Sequence, residues 1–404
     1  MTDPELHTGE RDRSGLSVWA LEPYFGGSHK YFLEGLAGHS KHDFTLFTLP
    51  GRHWKWRMQG GALSLARRAA DGLASAGPRP SVLFASDMLD LPVFLAAGDP
   101  VVARVPAILY LHENQLTYPL PHGMERDLGY GFKNLTAAAI AEAVLFNSAY
   151  HRREFLKAAG DLLRAMPDEI PDWILEEMEA KARVLPVGCD LRRFDRHRSR
   201  ALSDAAAGRW GDPAAGPLLV WNQRWEYDKA PGDLFAALRV LKASGVRFRL
   251  AMAGPNQGVP TADFLRARSE LADHIVQWGR VAKGPDYASL LWASDVVVST
   301  AVHEFFGVAI VEAMYCGCRP VLPRRLSYPE LVPSEAHEDV LYGEGELVTA
   351  LTRALAEPRA WSEDWQRTWV ARFDWASLGA RYDEEIRRCW ENATYAHGSK
   401  GQAR

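Results

Sequence analysis

Apolar and polar positions along this chain alternate in one repeating way. Short apolar, β-branched runs are followed by segments whose apolar residues recur at helical spacing. In the first half, six runs read as strands: "LSVWAL" (16–21), "DFTLFTL" (43–49), "SVLFAS" (81–86), "AILYLH" (107–112), "AVLFNS" (143–148) and "ARVLPVG" (182–188). Five more follow: "LLVWNQ" (218–223), "FRLAMAG" (248–254), "IVQWG" (275–279), "VVVST" (296–300) and "RPVLP" (319–323). Helical segments lie between most of them; "DLFAALRVLKASG" (233–245) closes on a C-cap glycine. Near-continuous apolar strands joined by helices predict parallel sheets covered on both faces, hence an α/β fold.

That is too many strands for one comfortable sheet. The stretch "RALSDAAAGRWGDPAAGP" (200–217) is rich in Ala, Gly and Asp, lacks periodicity and reads as a linker. The expected organisation is therefore two doubly wound parallel-sheet domains, 16–199 and 218–375. They are preceded by a disordered tail, 1–15. Residues 376–404 follow as a terminal helix and tail that cross back to brace the first domain. Ligands bind beyond the carboxyl ends of such strands, so the cleft between the domains is the expected site.

Composition changes this picture little. The 404 residues are 47% apolar and 24% charged, as in a soluble globular protein. No apolar run reaches the ~18 residues of a membrane span. The opening "MTDPELHTGERDRSG" is polar, so neither signal peptide nor anchor is expected, and a reducing cytoplasm fits. Cys189, Cys316, Cys318 and Cys389 lack a disulfide framework and the spacing of a zinc site, and Cys316 and Cys318 read as small packing residues after a helix. The net charge of −4 excludes a globally basic nucleic-acid binder but leaves room for a local basic surface.

The chemistry gathers at strand ends. After the first strand, "EPYFGGSHKYF" holds Gly26 and Gly27, a turn able to present backbone N–H groups to a phosphate or hydroxyl. It lacks the Lys-Ser/Thr of a P-loop, and a plain tight turn is the competing reading. The fourth strand ends in His112, Glu113, Asn114 and Gln115, four adjacent polar residues that packing alone does not explain. His112 is the candidate beside the reaction centre, against the alternative of a core histidine. The second domain opens with "LLVWNQRWEYDK", where Arg224 and Lys229 suit a diphosphate unless Glu226 and Asp228 merely pair with them. In "TAVHEFFGVAIVEAMYCGCRP", Glu304 and Glu312 flank Gly307, which opens a helix. The stretch "PGRHWKWRMQGG" (50–61) mixes Arg52, Lys55 and Arg57 with Trp54 and Trp56. It suits unpaired bases, or else is a loop whose tryptophans pack under the domain. The basic run "LRRFDRHRSR" (191–200) reads as solvated.

Together, Arg224, Lys229 and the Glu304/Glu312 pair with seven intervening residues resemble the retaining glycosyltransferases of family four. "EPYFGGSHKYFLEGL", "RHWKWR", "FASDMLDLPVF", "LYLHENQLTYP" and "FNSAYHRREFL" resemble, more narrowly, the tRNA-queuosine mannosyltransferases. The likeness runs from about residue 16 to 375 and is weakest at the linker and in the tail. It implies a GT-B fold, two Rossmann-like domains around a nucleotide-sugar. It implies Glu304 at the donor sugar's hydroxyls, Glu312 at the ribose, and the backbone of Phe306, Gly307 and Val308 near sugar and phosphates. It further implies Arg224 and Lys229 at the diphosphate, His112 near the transferred sugar, and Gly26–Gly27 facing the phosphates. The implied donor is GDP-mannose and the implied acceptor a queuosine-containing tRNA, met by Arg52, Trp54, Lys55, Trp56, Arg57, Asn114 and Gln115. Front-face attack without metal or other cofactor is the implied chemistry, and no membrane or protein partner is expected. A family-four enzyme acting on a lipid, glycan or small molecule, and a non-catalytic nucleotide-sugar binder, remain the alternatives.

Overall fold

A computed structural model describes residues 15–74, 78–120, 123, 125–255, 261–282, 284–358 and 363–401. Apart from Gly15, the expected tail lies outside them. Two six-stranded sheets carry the fold. The first holds β1 (Ser17–Phe25), β2 (Asp43–Pro50), β3 (Val82–Ser86), β4 (Ala107–Leu111), β5 (Ala143–Phe146) and β6 (Ala182–Val184) in the order β2-β1-β3-β4-β5-β6. The second holds β7 (Leu218–Trp221), β8 (Arg249–Met252), β9 (Ile275–Trp278), β10 (Val296–Val298), β11 (Arg319–Pro323) and β12 (Leu341–Tyr342) in the order β12-β11-β10-β7-β8-β9. The pairings within both sheets are parallel. Central strands such as β3, β4 and β7 are buried along their whole length, which is why they read as unbroken apolar runs.

All eleven expected strands are present. The twelfth, β12, pairs with β11 over two residues and is too short to leave a pattern. Strand order reverses between β1 and β3 in the first sheet and between β7 and β10 in the second. At such switch points the flanking loops diverge and open a crevice. Glu22 to Gly27 and Asp87 stand at the first reversal, Arg224 to Lys229 and Glu304 at the second.

Residues 200–217 are not structureless. The helix Arg198–Ala206 runs into them, and Trp210 is buried, its Nε1 donating to Ser289 Oγ at 3.1 Å. The alanines that obscured any apolar stripe are good helix formers. The final helix, Trp375–Gly401, lies on the first sheet's side of the molecule. Trp375 is fully buried there, so close to Gly35 and Gly188 that a Cβ on either would overlap its ring. Asp383 accepts from Ser40 Oγ at 2.5 Å, and the Tyr382 hydroxyl donates to the Pro186 carbonyl at 2.7 Å.

Candidate active site

On the second sheet, the exits of β7 and β10 form one ion-paired cluster. Lys229 closes a short 3-10 turn ahead of the helix Pro231–Ala243, and its side chain is only 8% exposed. Its ammonium lies 3.1 Å from Asp228 and 3.3 Å from Glu304, and donates to the His303 carbonyl at 2.8 Å. Burial alone would strip its proton, but Glu304 and Asp228 overcome this and hold its pKa above the ordinary lysine value. Burial would likewise raise Glu304. The Lys229 charge, with a backbone N–H from Phe306, overrides it and keeps the carboxyl below its usual range. Gly307 follows at φ 103°, a left-handed conformation natural to glycine, and starts the helix Val308–Tyr315. Arg224 contrasts with Lys229: its side chain is 46% exposed, and its partner is Glu226 at 3.2 Å.

Glu312 does not join this cluster. It lies one side-chain layer deeper, 1% exposed, accepting from Arg193 at 2.6 Å and from the Tyr287 hydroxyl at 3.0 Å. Arg193 belongs to the basic run that reads as solvated. In the fold its guanidinium instead lies over the Tyr31 ring, 5.0 Å from the centroid, while holding Glu312. A run of like charges hides which member reaches Glu312.

The facing rim of the first sheet is built from rings and acids. His29, on the helix Gly27–His39, bonds Glu22 at 2.9 Å. Burial opposes the ring's charge, yet Glu22 overrides it and lifts the pKa to about 9, so His29 is a cation at neutral pH. Its ring centroid is 4.3 Å from that of His112, which burial and the neighbouring His29 charge hold well below the ordinary histidine pKa. His112 is thus neutral. Phe32 and Tyr110 pack its ring, and its backbone N–H bonds Asp87, which burial pushes up to about 7. Ligand-capable atoms of Glu22, His29 and His112 lie within 4.8 Å of one another, but Glu22 is already satisfied by the His29 proton.

Among the other strand-end residues, Gln115 bonds Glu113 at 3.2 Å, and burial raises Glu113. Asn114 has no exposed surface. Its Oδ1 accepts from the Thr117 backbone and hydroxyl and so shapes the turn, while its Nδ2 is buried with no hydrogen-bond partner among the described residues.

The basic aromatic stretch is no loop. Trp54 begins the helix Trp54–Ala74. Trp54 leans on Tyr130, with centroids 5.3 Å apart, and Lys55 sits 5.7 Å over it, whereas Trp56 is 63% exposed. Arg57 donates to the Pro50 carbonyl at 3.1 Å. The stretch abuts the glycine turn: a Cβ on Gly51 would come within 2.7 Å of the Gly26 Cα, while Gly27, at φ 55°, opens onto empty space. Arg52 to Arg57 therefore begin at the lip of the cleft.

Residues 17–189 match the family model described as tRNA-queuosine alpha-mannosyltransferase N-terminal, and residues 216–357 match that of group 1 glycosyl transferases. A tRNA-queuosine alpha-mannosyltransferase of Drosophila melanogaster is 34% identical over 319 residues, covering 79% of this chain and 82% of the fly protein. The chain belongs to the tRNA-queuosine alpha-mannosyltransferase family. More distant enzymes match about half of the chain. A GDP-mannose:cellobiosyl-diphosphopolyprenol alpha-mannosyltransferase of Xanthomonas campestris is 28% identical over 214 residues, covering 51% of this chain and 52% of that protein. Among solved structures, the catalytic domain of starch synthase IV from Arabidopsis thaliana superposes with a TM-score of 0.69 at 12% identity, covering 94% of this chain and all of the other. Anabaena HepE bound to UDP superposes at 0.65 with 18% identity, covering 92% and 100%. These likenesses establish the GT-B fold.

Sequence reasoning about this family member missed Glu22, His29, Asp87, His303, Arg193 and Tyr287. Two of them left a trace. An acid ending an apolar strand, Glu22, and a histidine seven residues on, His29, are unusual unless they meet.

Proposed function

We propose that this glycosyltransferase moves mannose from GDP-mannose to a hydroxyl of the queuosine cyclopentenediol at the tRNA wobble position. One observation carries the acceptor reading. The half of the chain that matches the family's own N-terminal model also bears the exposed Trp56 and its basic neighbours, set against the Gly26–Gly27 turn at the cleft. An anticodon loop offers unpaired bases to such a ring and phosphates to such cations. The donor reading is supported by mannosyl transfer in the names of the fly and Xanthomonas relatives, the latter naming GDP-mannose.

As the sugar–phosphate bond breaks, positive charge grows on the sugar ring and negative charge on the departing GDP. Arg224 is the accessible cation for that diphosphate. Lys229, fixed between two carboxylates, adds positioned charge, and the helix opening at Gly307 adds its N-terminal dipole. Glu304, ionised beside Lys229, accepts hydrogen bonds from the sugar's hydroxyls. Neutral His112 accepts or donates one without adding charge. The acceptor hydroxyl attacks from the face the diphosphate leaves, and its proton passes to the departing phosphate oxygen. Glu312 serves the ribose in this reading, with Arg193 and Tyr287 setting its direction.

The deciding experiment supplies labelled GDP-mannose with tRNA from cells able or unable to make queuosine. Label is expected only in the first. Equal labelling of both, or activity on a lipid extract instead, would reject the acceptor.

A further inference from the structure

His151 is buried and takes no part in the chemistry above, yet it touches both segments on which that chemistry rests. It belongs to the helix Ala149–Arg164, at the end of β5. On one side its ring stacks on Phe305 of the second sheet's loop, with centroids 3.8 Å apart and planes 18° from parallel. Phe305 is the residue next to Glu304, and its ring also meets His303, 4.5 Å away. On the other side, His151 Nδ1 bonds Asn147 Oδ1 at 2.9 Å, while Asn147 Nδ2 donates to the His112 carbonyl at 2.8 Å. Since the Asn147 oxygen accepts, Nδ1 carries the hydrogen. Nε2 is buried with no partner among the described residues. Burial above all holds the ring well below the ordinary histidine pKa, so the stack is a contact between two neutral planes.

The helix that carries His151 is itself gripped across the cleft. Ser148 caps it, accepting from the His151 backbone N–H at 3.0 Å. Glu330, from the second domain, accepts the backbone N–H groups of Ala149 at 2.7 Å and Tyr150 at 2.6 Å. A carboxylate at a helix N-terminus is a strong anchor. Tyr118 of the first domain holds the same loop from its other end, edge-on to His303 at 4.7 Å.

We propose that His151 is a positioning residue for sugar transfer, fixing the Glu304 loop relative to His112 when the two domains meet. The proposal rests on the reading that Glu304 and His112 serve the donor sugar. It predicts that the shape of the ring matters and its titration does not. Misplacement of a catalytic group by about 1 Å can cost on the order of a hundredfold in rate.

The test compares His151→Ala, His151→Phe and wild type. In transfer assays, His151→Ala is expected to lower kcat roughly thirtyfold with the KM for GDP-mannose changed less than about twofold. His151→Phe keeps the stack and is expected to recover kcat to within about fivefold of wild type, with an unaltered pH profile. Hydrogen exchange without any substrate gives the second readout: His151→Ala should speed exchange in residues 299–307 and 110–118, and His151→Phe should leave 299–307 protected. Wild-type exchange and kcat in His151→Ala would overturn the proposal. So would a Phe variant as impaired as the Ala variant, because the ring stack on Phe305 would then not be what fixes the loop. Failure of the wild-type protein to label queuosine tRNA would reject the acceptor reading alone, because the exchange experiment still decides whether His151 clamps the loop.

Discussion

The two rims of the cleft stabilise charge in opposite ways. The second domain's rim is a salt-bridged cluster, Asp228–Lys229–Glu304, in which Lys229 and Glu304 hold each other's charge against burial. The first domain's rim uses burial. His29 keeps its proton only because Glu22 faces it, His112 loses its own, and Asp87 is lifted to about 7. One rim presents fixed charges where a diphosphate would leave. The other presents a neutral ring, backed by a cation, where a sugar would sit. A transition state that separates positive sugar from negative phosphate is matched by that asymmetry.

Removing one charge should therefore be far more damaging on the salt-bridged rim. Lys229→Ala leaves the buried Asp228 and the part-buried Glu304 without this counterion, a loss of about 3 kcal/mol in stability. Urea unfolding reads this directly, and transfer should be abolished with it. Lys229→Arg, which keeps the charge, should restore most of the stability. Arg224→Ala probes the same rim without that burial: its side chain is 46% exposed, so unfolding should hardly change. Its kcat/KM should still fall by about 2–4 kcal/mol of transition-state stabilisation. Comparable losses of stability in the two variants would dissolve the distinction between a positioned and an accessible cation.

The buried rim has a pH signature. His29 has a folded-state pKa of about 9, above the ordinary 6.5. Its stabilisation is fully present below pH 6.5 and is lost as pH rises through about 9. A 2.5-unit shift corresponds to roughly 3 kcal/mol as an upper figure. Glu22→Gln should thus be less stable than wild type by about 2–3 kcal/mol at pH 6, and the gap should close by about pH 10. Chemical denaturation at both pH values checks it. A gap that persists at pH 10 would assign Glu22 a role other than holding the His29 proton.

The two rims also differ in how far they could be read from the chain. Strand ends with clustered polar residues announced His112, Arg224, Lys229 and Glu304, because a parallel sheet tolerates such residues only where its strands run out. The central strands were legible for a related reason: buried on both faces, they must be apolar throughout. What stayed hidden depends on long-range proximity. Arg193 reaches Glu312 only through the fold, and nothing separates it from Arg192 or Arg196 in the sequence. The local partners Asp228 and Glu226 were legible beside Lys229 and Arg224, but the Glu304 partner of Lys229 was not, being far off in the chain and 3.3 Å away in space. Asn114 looked like a reaching side chain, yet a turn consumed it.

The smallest expected effect separates two tryptophans that the sequence could not tell apart. Trp54 packs on Tyr130, while Trp56 two residues on is 63% exposed at the lip of the cleft. Trp54→Ala removes a packing contact, so it should lower stability by roughly 1–2 kcal/mol. Any rise in KM for tRNA would then follow partly from a displaced helix start. Trp56→Ala should leave unfolding within about 0.5 kcal/mol of wild type, as for any exposed side chain. If Trp56 stacks on an unpaired base, its loss should cost about 1–3 kcal/mol in tRNA binding, roughly five- to a hundredfold in KM. Donor hydrolysis without tRNA should be unchanged, because the exposed indole lies over Gly60 of its own helix. Arg52→Glu combined with Arg57→Glu should raise the same KM and flatten its salt dependence, since fewer phosphates would then release counterions. Arg57 is tied to the Pro50 carbonyl, so Arg52 should carry the larger share when the two are separated. A Trp56→Ala protein with wild-type KM for tRNA would show that the exposed indole is not the platform and would move the acceptor surface elsewhere on the first domain.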